Sequence, residues 1–168
     1  MIRRFKSVTP SVDRTAFVDE SAQVIGDVTI GAESSVWMNV VMRGDVHHIR
    51  VGRRTNIQDL TMVHVMRDTH PTVIGDEVTI GHSAVIHGTT IEDRVLIGMA
   101  AVLLNGVRVG HDSIVAAGTL LTEGTVIPPR SLVMGRPGRV KRELTDAEVA
   151  DIRWYADNYV RYRLDYQS

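Results

Sequence analysis

A period of six residues constrains this chain more than any other feature. Aliphatic residues fall at Ile97, Leu103, Val109, Val115, Leu121, Ile127 and Val133, seven consecutive positions six apart. Shorter series precede it: Val24, Ile30, Val36; Val51, Ile57, Val63; and Ile74, Ile80, Ile86. Small residues often follow, as in Ile74-Gly75, Ile80-Gly81 and Val109-Gly110. A helix needs apolar positions at 3.6-residue spacing, and a hairpin sheet needs Asn-Gly or Asp-Gly turns between alternating runs; neither pattern is sustained. A hexapeptide period predicts an all-β chain wound as a parallel β-helix. Each six-residue unit makes one side of a triangular prism, and 18 residues make one coil. The aliphatic residue points inward, and coils stack by main-chain pairing about 4.8 Å apart.

Two insertions break the period, at residues 37–50 and 64–73, and both read as loops on a rigid scaffold, where function concentrates. The repeat stops at Gly135-Arg136-Pro137-Gly138, which reads as a turn. Thr145 followed three residues later by Glu148 is a capping box. Val149, Ile152, Ala156, Tyr159, Val160 and Arg163 then keep a helical period, so a C-terminal α-helix over 145–164 is expected to lay this stripe on a flank of the prism. The 168 residues thus read as a single domain, with the β-helix over about 12–138.

Composition narrows the partners. Nineteen Lys and Arg against twenty Asp and Glu leave a formal net charge of -1, so no basic field exists to hold nucleic acid or an anionic membrane. No unbroken 18-residue apolar run is present, and the N-terminus lacks the apolar stretch of a secretory signal, so a cytoplasmic protein is expected. The absence of cysteine excludes disulfides, thiolate nucleophiles and Cys-based metal sites. A metal, if held, must be held by His and carboxylate.

The repeat supplies coordinates for the histidines. His64 and His87 each lie one residue after an inward position, Val63 and Ile86, and both positions are third in their triplets. They therefore share one side of the prism in neighbouring coils, about 5 Å apart, within reach of one ion. His82, two residues after Ile80, sits around a corner from them. Three neutral imidazoles with a fourth position for water form a known zinc set. If His82 of a neighbouring subunit completes this set, the assembly is a closed homotrimer with three identical interfacial sites. The alternative is three outward histidines that are solvated or line a subunit contact. Gln58 and Asp59 stack one coil before Gly81-His82, where an amide can orient a bound hydroxide and a carboxylate can fix an imidazole tautomer; a plain turn ladder that includes Asn56 is the other reading. Arg43 and Asp45 read as a surface or intersubunit ion pair. His47, His48, His70 and His111 have no stacked partner and receive no metal role.

Arg43-Gly44-Asp45, Asn56-Ile57-Gln58-Asp59, His64 and Gly81-His82-Ser83-Ala84-Val85-Ile86-His87-Gly88 together resemble the gamma-class carbonic anhydrases and their bacterial relatives assigned to carnitine and phenylacetate metabolism. The resemblance covers nearly the whole chain. It implies left-handed winding, and a metal held by His64 and His87 of one subunit and His82 of the next, with zinc, iron or cobalt as the ion. It implies an intersubunit ion pair at Arg43 and Asp45, hydroxide-orienting roles for Gln58 and Asp59, and a site tyrosine at Tyr159. The implied reaction is hydration of carbon dioxide to bicarbonate by hydroxide generated at the metal.

The chain departs from the best-studied gamma enzymes in its proton path. Val46 stands where a glutamate can stand, and Met66-Arg67-Asp68 follows His64 without an acidic loop carrying a shuttle glutamate. Asp68 or His70 could take over a relay. Two other functions compete: an acyltransferase or coenzyme A thioesterase using one histidine as general base, and a non-catalytic trimeric scaffold stabilised by metal.

Overall fold

The computed structural model describes residues 1–167. It is a left-handed parallel β-solenoid of about seven turns, closed by one helix. The first face carries Met62–His64, Val85–His87, Val102–Leu103 and Leu120–Leu121. The second carries Thr72–Ile74, Thr90–Ile91, Arg108–Val109 and Val126–Ile127. The third is an eight-stranded sheet running from Phe17–Val18 through Asn56–Ile57 and Thr79–Ile80 to Gly138–Glu143. Two long strands, Gln23–Ile30 and Val41–Val51, wrap from the first face onto the second and join them into a twelve-stranded sheet.

Every aliphatic position of the period-six series is buried, from Val24 to Val133, and they form one continuous column. The pairing explains the register. Ile80 lies opposite Ile57 and Ile97, and Ile86 lies opposite Val63 and Leu103, so each inward side chain meets its own kind in the next coil. Small residues are required beside them because coils approach closely there. A Cβ on Gly98 would stand 2.4 Å from the Ala117 amide nitrogen.

Two expectations need correction. Residues 37–50 are not simply a loop. Most of this insertion is the strand Val41–Val51, parallel to Gln23–Ile30, with a bulge where Gly26 opposes Gly44 and Val28 opposes Ile49. The extra residues Asp45 to His48 are thrown out between two paired stretches, which a period of six cannot reveal. Beyond Gly138 the chain does not pass straight to the helix. Ser131–Gly135 and Gly138–Glu143 form an antiparallel hairpin that ends the third face.

Helix α1, Asp146–Gln167, begins as the capping box requires. The Thr145 amide donates to Glu148 Oε2 at 2.9 Å, and the Glu148 amide donates to Thr145 Oγ1 at 3.3 Å. The Arg142 bond, followed by the Thr145 bonds, holds the Glu148 carboxyl down at about 2. Ile152, Ala156 and Arg163 are buried against the third face, as the stripe predicts. The helix runs three residues past Leu164, because Tyr166 still packs on Phe17 and Trp37, at centroid distances of 5.9 and 5.0 Å. Arg54 pairs with Asp157, and Arg163 reaches Glu33 at 3.4 Å. Trp37, also stacked edge-on with Tyr159, is the centre of this docking. Trp37→Ala is expected to cost about 3–5 kcal/mol. A lower unfolding midpoint and faster proteolytic release of α1 would register it.

Candidate metal centre

The first face ends in two stacked imidazoles. His64 lies opposite His87 in the parallel ladder, with ring centroids 5.0 Å apart and His64 Nδ1 3.0 Å from His87 Nε2. Their other nitrogens are occupied. His64 Nε2 donates to Asp45 Oδ1 at 3.1 Å, and His87 Nδ1 donates to Asn105 Oδ1 at 2.8 Å. A neutral imidazole carries a single N–H. An outer acceptor that takes it leaves the inner nitrogen as a bare lone pair, so two lone pairs face each other across 3.0 Å. That contact is repulsive unless a cation intervenes, and the separation is a few tenths of an ångström short of the about 3.3–3.4 Å between two nitrogens bound 2.0–2.1 Å from one tetrahedral ion. The donor set fits a divalent metal.

Asp45 reaches His64 because the bulge carries it there. At its base a Cβ on Gly44 would stand 2.5 Å from the Asp27 carbonyl oxygen, so only glycine lets the insert leave the ladder so abruptly. Asp45 also pairs with Arg43. Burial alone would raise the Asp45 carboxyl, but the His64 bond and Arg43 outweigh it and hold it below its ordinary value. Burial pushes His64 down, with Asp45 opposing, and the balance lies below its ordinary value. The direction favours the neutral ring, the form that can bind a metal. The pair read from sequence as an interface ion pair therefore has a further use within one chain, since its carboxylate orients a histidine.

His82 is held elsewhere. It follows the third face at the corner leading into the first, and its Nδ1 lies 2.9 Å from Asp59 Oδ2, leaving Nε2 as the nitrogen available to bind. Among the described residues of one chain, no three His, Asp or Glu side chains converge on a metal position. Gln58, His82, Leu96, Met99, Tyr155 and Tyr159 line one cavity of about 330 Å³ between α1 and the third face. Gln58 is buried and donates from Nε2 to Asn56 Oδ1 at 3.1 Å, while Asn56 donates to Thr79 Oγ1 at 2.9 Å. Asn56 therefore does belong to a ladder, and that ladder fixes Gln58. Burial pushes the Tyr159 hydroxyl up to about 12, helped by the charges of Asp59 and Tyr162.

Asn105 was missed from sequence. It lies 18 residues after His87, one full coil, and each of the pair precedes a glycine. Gly88 has φ +60 and makes room for the contact: a Cβ there would stand 2.5 Å from Asn105 Oδ1. The spacing of the His-Gly and Asn-Gly pairs was the signal available.

The family model described as hexapeptide repeat of succinyl-transferase matches residues 71–103 and 88–123. Gamma carbonic anhydrase 1, mitochondrial, of Arabidopsis thaliana is 53% identical over 89% of this chain. The match spans 56% of the plant protein, so the chain accounts for little more than half of that relative's length. A protein of Methanocaldococcus jannaschii named probable carbonic anhydrase is 50% identical over 89% of this chain and 94% of its own. The solved structure of a hexapeptide transferase family protein from Anaplasma phagocytophilum superposes with a TM-score of 0.95, at 40% identity over 98% of this chain and 97% of that one. With coil and tail helix matched end to end and the archaeal relative covered almost completely, the chain belongs to the gamma-class carbonic anhydrase family.

Proposed function

We propose that the chain is a gamma-class carbonic anhydrase that works as a closed homotrimer and interconverts carbon dioxide and water with bicarbonate and a proton. The observation that carries this reading is the 3.0 Å approach of His64 Nδ1 and His87 Nε2, each ring having an outer acceptor, Asp45 or Asn105, at its other nitrogen. The third imidazole would be His82 of the neighbouring subunit, which a cyclic trimer repeats at every interface. Zinc suits three imidazoles, and iron or cobalt accept the same set. When bound, such an ion supplies Lewis acidity that brings the pKa of water into the neutral range.

The chain's own residues do the rest. Asp45 and Asn105 hold the N–H at His64 Nε2 and His87 Nδ1, which fixes both rings and raises their basicity. Gln58, anchored through Nε2, keeps Oε1 free to accept a hydrogen bond and so orient the attacking oxygen. Because it shares a cavity with His82, it would reach the site from the subunit that lends that histidine. Asp59 Oδ2 stands 2.9 Å from His82 Nδ1, on the side where a carboxylate can favour the tautomer with Nε2 bare. Tyr159 stays protonated at neutral pH and can donate to an anionic product oxygen. Leu96, Ile97, Met99 and Ala117 supply an apolar wall suited to a non-polar gas.

A second reading, acyl transfer or thioester hydrolysis, rests on that same cavity of about 330 Å³, which exceeds what carbon dioxide needs. The test is a metal analysis of anaerobically purified protein, followed by a stopped-flow carbon dioxide hydration assay. The expected result is one metal per chain and hydration that disappears with chelator. Absence of metal together with cleavage of a coenzyme A ester would replace this reading with the second.

A further inference from the structure

The ladder that begins at the metal centre continues outward. His87, Asn105 and Glu123 each precede a glycine, are spaced 18 residues apart, and stack at one corner of three successive coils. The Gly106 amide donates to the Gly88 carbonyl at 2.8 Å, and the Gly124 amide donates to the Asn105 carbonyl at 2.9 Å, which locks the three coils in step. Asn105 Oδ1 faces His87 Nδ1 at 2.8 Å, and Asn105 Nδ2 donates to Glu123 Oε1 at 3.0 Å.

An amide in this position has two orientations with opposite consequences. With its oxygen toward His87, it demands an N–H at Nδ1, which leaves Nε2 bare. With its NH₂ toward His87, it demands a bare Nδ1, which puts the N–H at Nε2. That N–H would then donate to His64 Nδ1, 3.0 Å away, and the two rings would satisfy one another. In metal-free protein the second arrangement is the better hydrogen-bonded at the rings, yet it consumes both nitrogens that a cation needs. Glu123 decides between them. Its carboxylate is an acceptor only. Flipping Asn105 would turn the amide oxygen toward that carboxylate and lose a charge-assisted bond for a repulsive contact.

We propose that Glu123 is a positioning residue for the metal centre: through Asn105 it holds His87 in the Nδ1–H tautomer and so keeps the His64 and His87 pair open for a cation. Glu123 is exposed in the chain and touches neither ring, so nothing about its local surroundings advertises the role. Gly88 is part of the same device, because any side chain there would displace the Asn105 oxygen. The inference rests on the metal reading above, but its first readout does not.

The experiment uses metal-free protein labelled with ¹⁵N at histidine and long-range ¹H–¹⁵N correlation above the imidazole titration range. The unmodified chain should show His87 protonated at Nδ1. Glu123→Lys presents a donor in place of an acceptor, so Asn105 should flip and His87 should move to the Nε2–H form. Zinc or cobalt affinity should then fall about tenfold or more, the range for loss of an outer partner. Glu123→Gln, which can still present an oxygen, should keep the original tautomer. Asn105→Asp in the Glu123→Lys background should restore it, since a carboxylate accepts from Nδ1 whatever lies beyond. Circular dichroism and the unfolding midpoint show whether each variant folds. An unchanged tautomer and unchanged affinity in folded Glu123→Lys would overturn the proposal while leaving the carbonic anhydrase reading in place. If no variant binds metal, that reading fails, and the tautomer data still decide the role of Glu123.

Discussion

Replacing His82 with alanine is expected to strip the metal as completely as replacing His64 or His87, although His82 belongs to neither stacked pair nor face. Two imidazoles make a weak site, and His82, at the corner leading into the first face with Nδ1 2.9 Å from Asp59 Oδ2, is the proposed third ligand. His111, with its Nδ1 on Asp112 at 2.7 Å, should be dispensable, and His111→Ala should retain full metal. A sharper form of the test mixes two inactive chains. His82→Ala keeps an intact His64 and His87 pair, and His87→Ala keeps an intact His82. In a cyclic trimer every mixed assembly contains one junction where the two intact halves meet. Unfolding and refolding an equal mixture should therefore restore about a quarter of the native metal content. Elemental analysis of the refolded mixture reads it directly. No recovery from the mixture, or full metal in His82→Ala alone, would sink the intersubunit site.

The parts of this protein that were legible in its sequence are those the period controls. Inward residues, coil stacking and the facing of His64 with His87 follow from counting in sixes, since each side chain's direction is set by its distance from Val63 or Ile86. The capping box at Thr145 and Glu148 was legible for a different reason: its chemistry is contained within four residues. What escaped was whatever depends on a departure from the period. Asp45 reaches His64 through a bulge that shifts register between two paired stretches, so no repeat position could assign its target. Asn105 sits where an extra corner residue changes the coil spacing from 17, as between Ile86 and Leu103, to 18, as between Ile91 and Val109. Counting from the inward residues therefore misaligns it with His87. The left-handed corner residues were equally hidden, because Glu33, Arg54, Glu77 and Arg94 take positive φ with no glycine to mark them.

The second large effect concerns the proton. Hydration of carbon dioxide at neutral pH releases one proton per turnover, and a positioned acid or base typically contributes 10²–10⁴-fold to such transfers. Residue 46 is valine, and the loop after His64 closes on itself: the Met66 amide donates to the His70 carbonyl at 2.9 Å, and Asp68 takes the turn tip with φ 58. No glutamate stands in that loop. His70 is bonded to Thr69 Oγ1 at 3.0 Å and lines a cavity of about 400 Å³ with Asn105 and Glu123. Its ring therefore lies along the outer edge of the ladder behind His87. Proton export should thus depend on dissolved buffer. In metal-replete protein at saturating carbon dioxide, turnover should be low in weak buffer and rise about tenfold or more with imidazole concentration. Met66→Glu, at an exposed position on the His64 side of the turn, should raise the weak-buffer rate and flatten that dependence. His70→Ala should leave the weak-buffer rate unchanged. A fast rate independent of buffer that collapses in His70→Ala would instead identify His70 as an internal relay. The closed turn would then be the feature that holds a shuttle histidine in place of the missing glutamate.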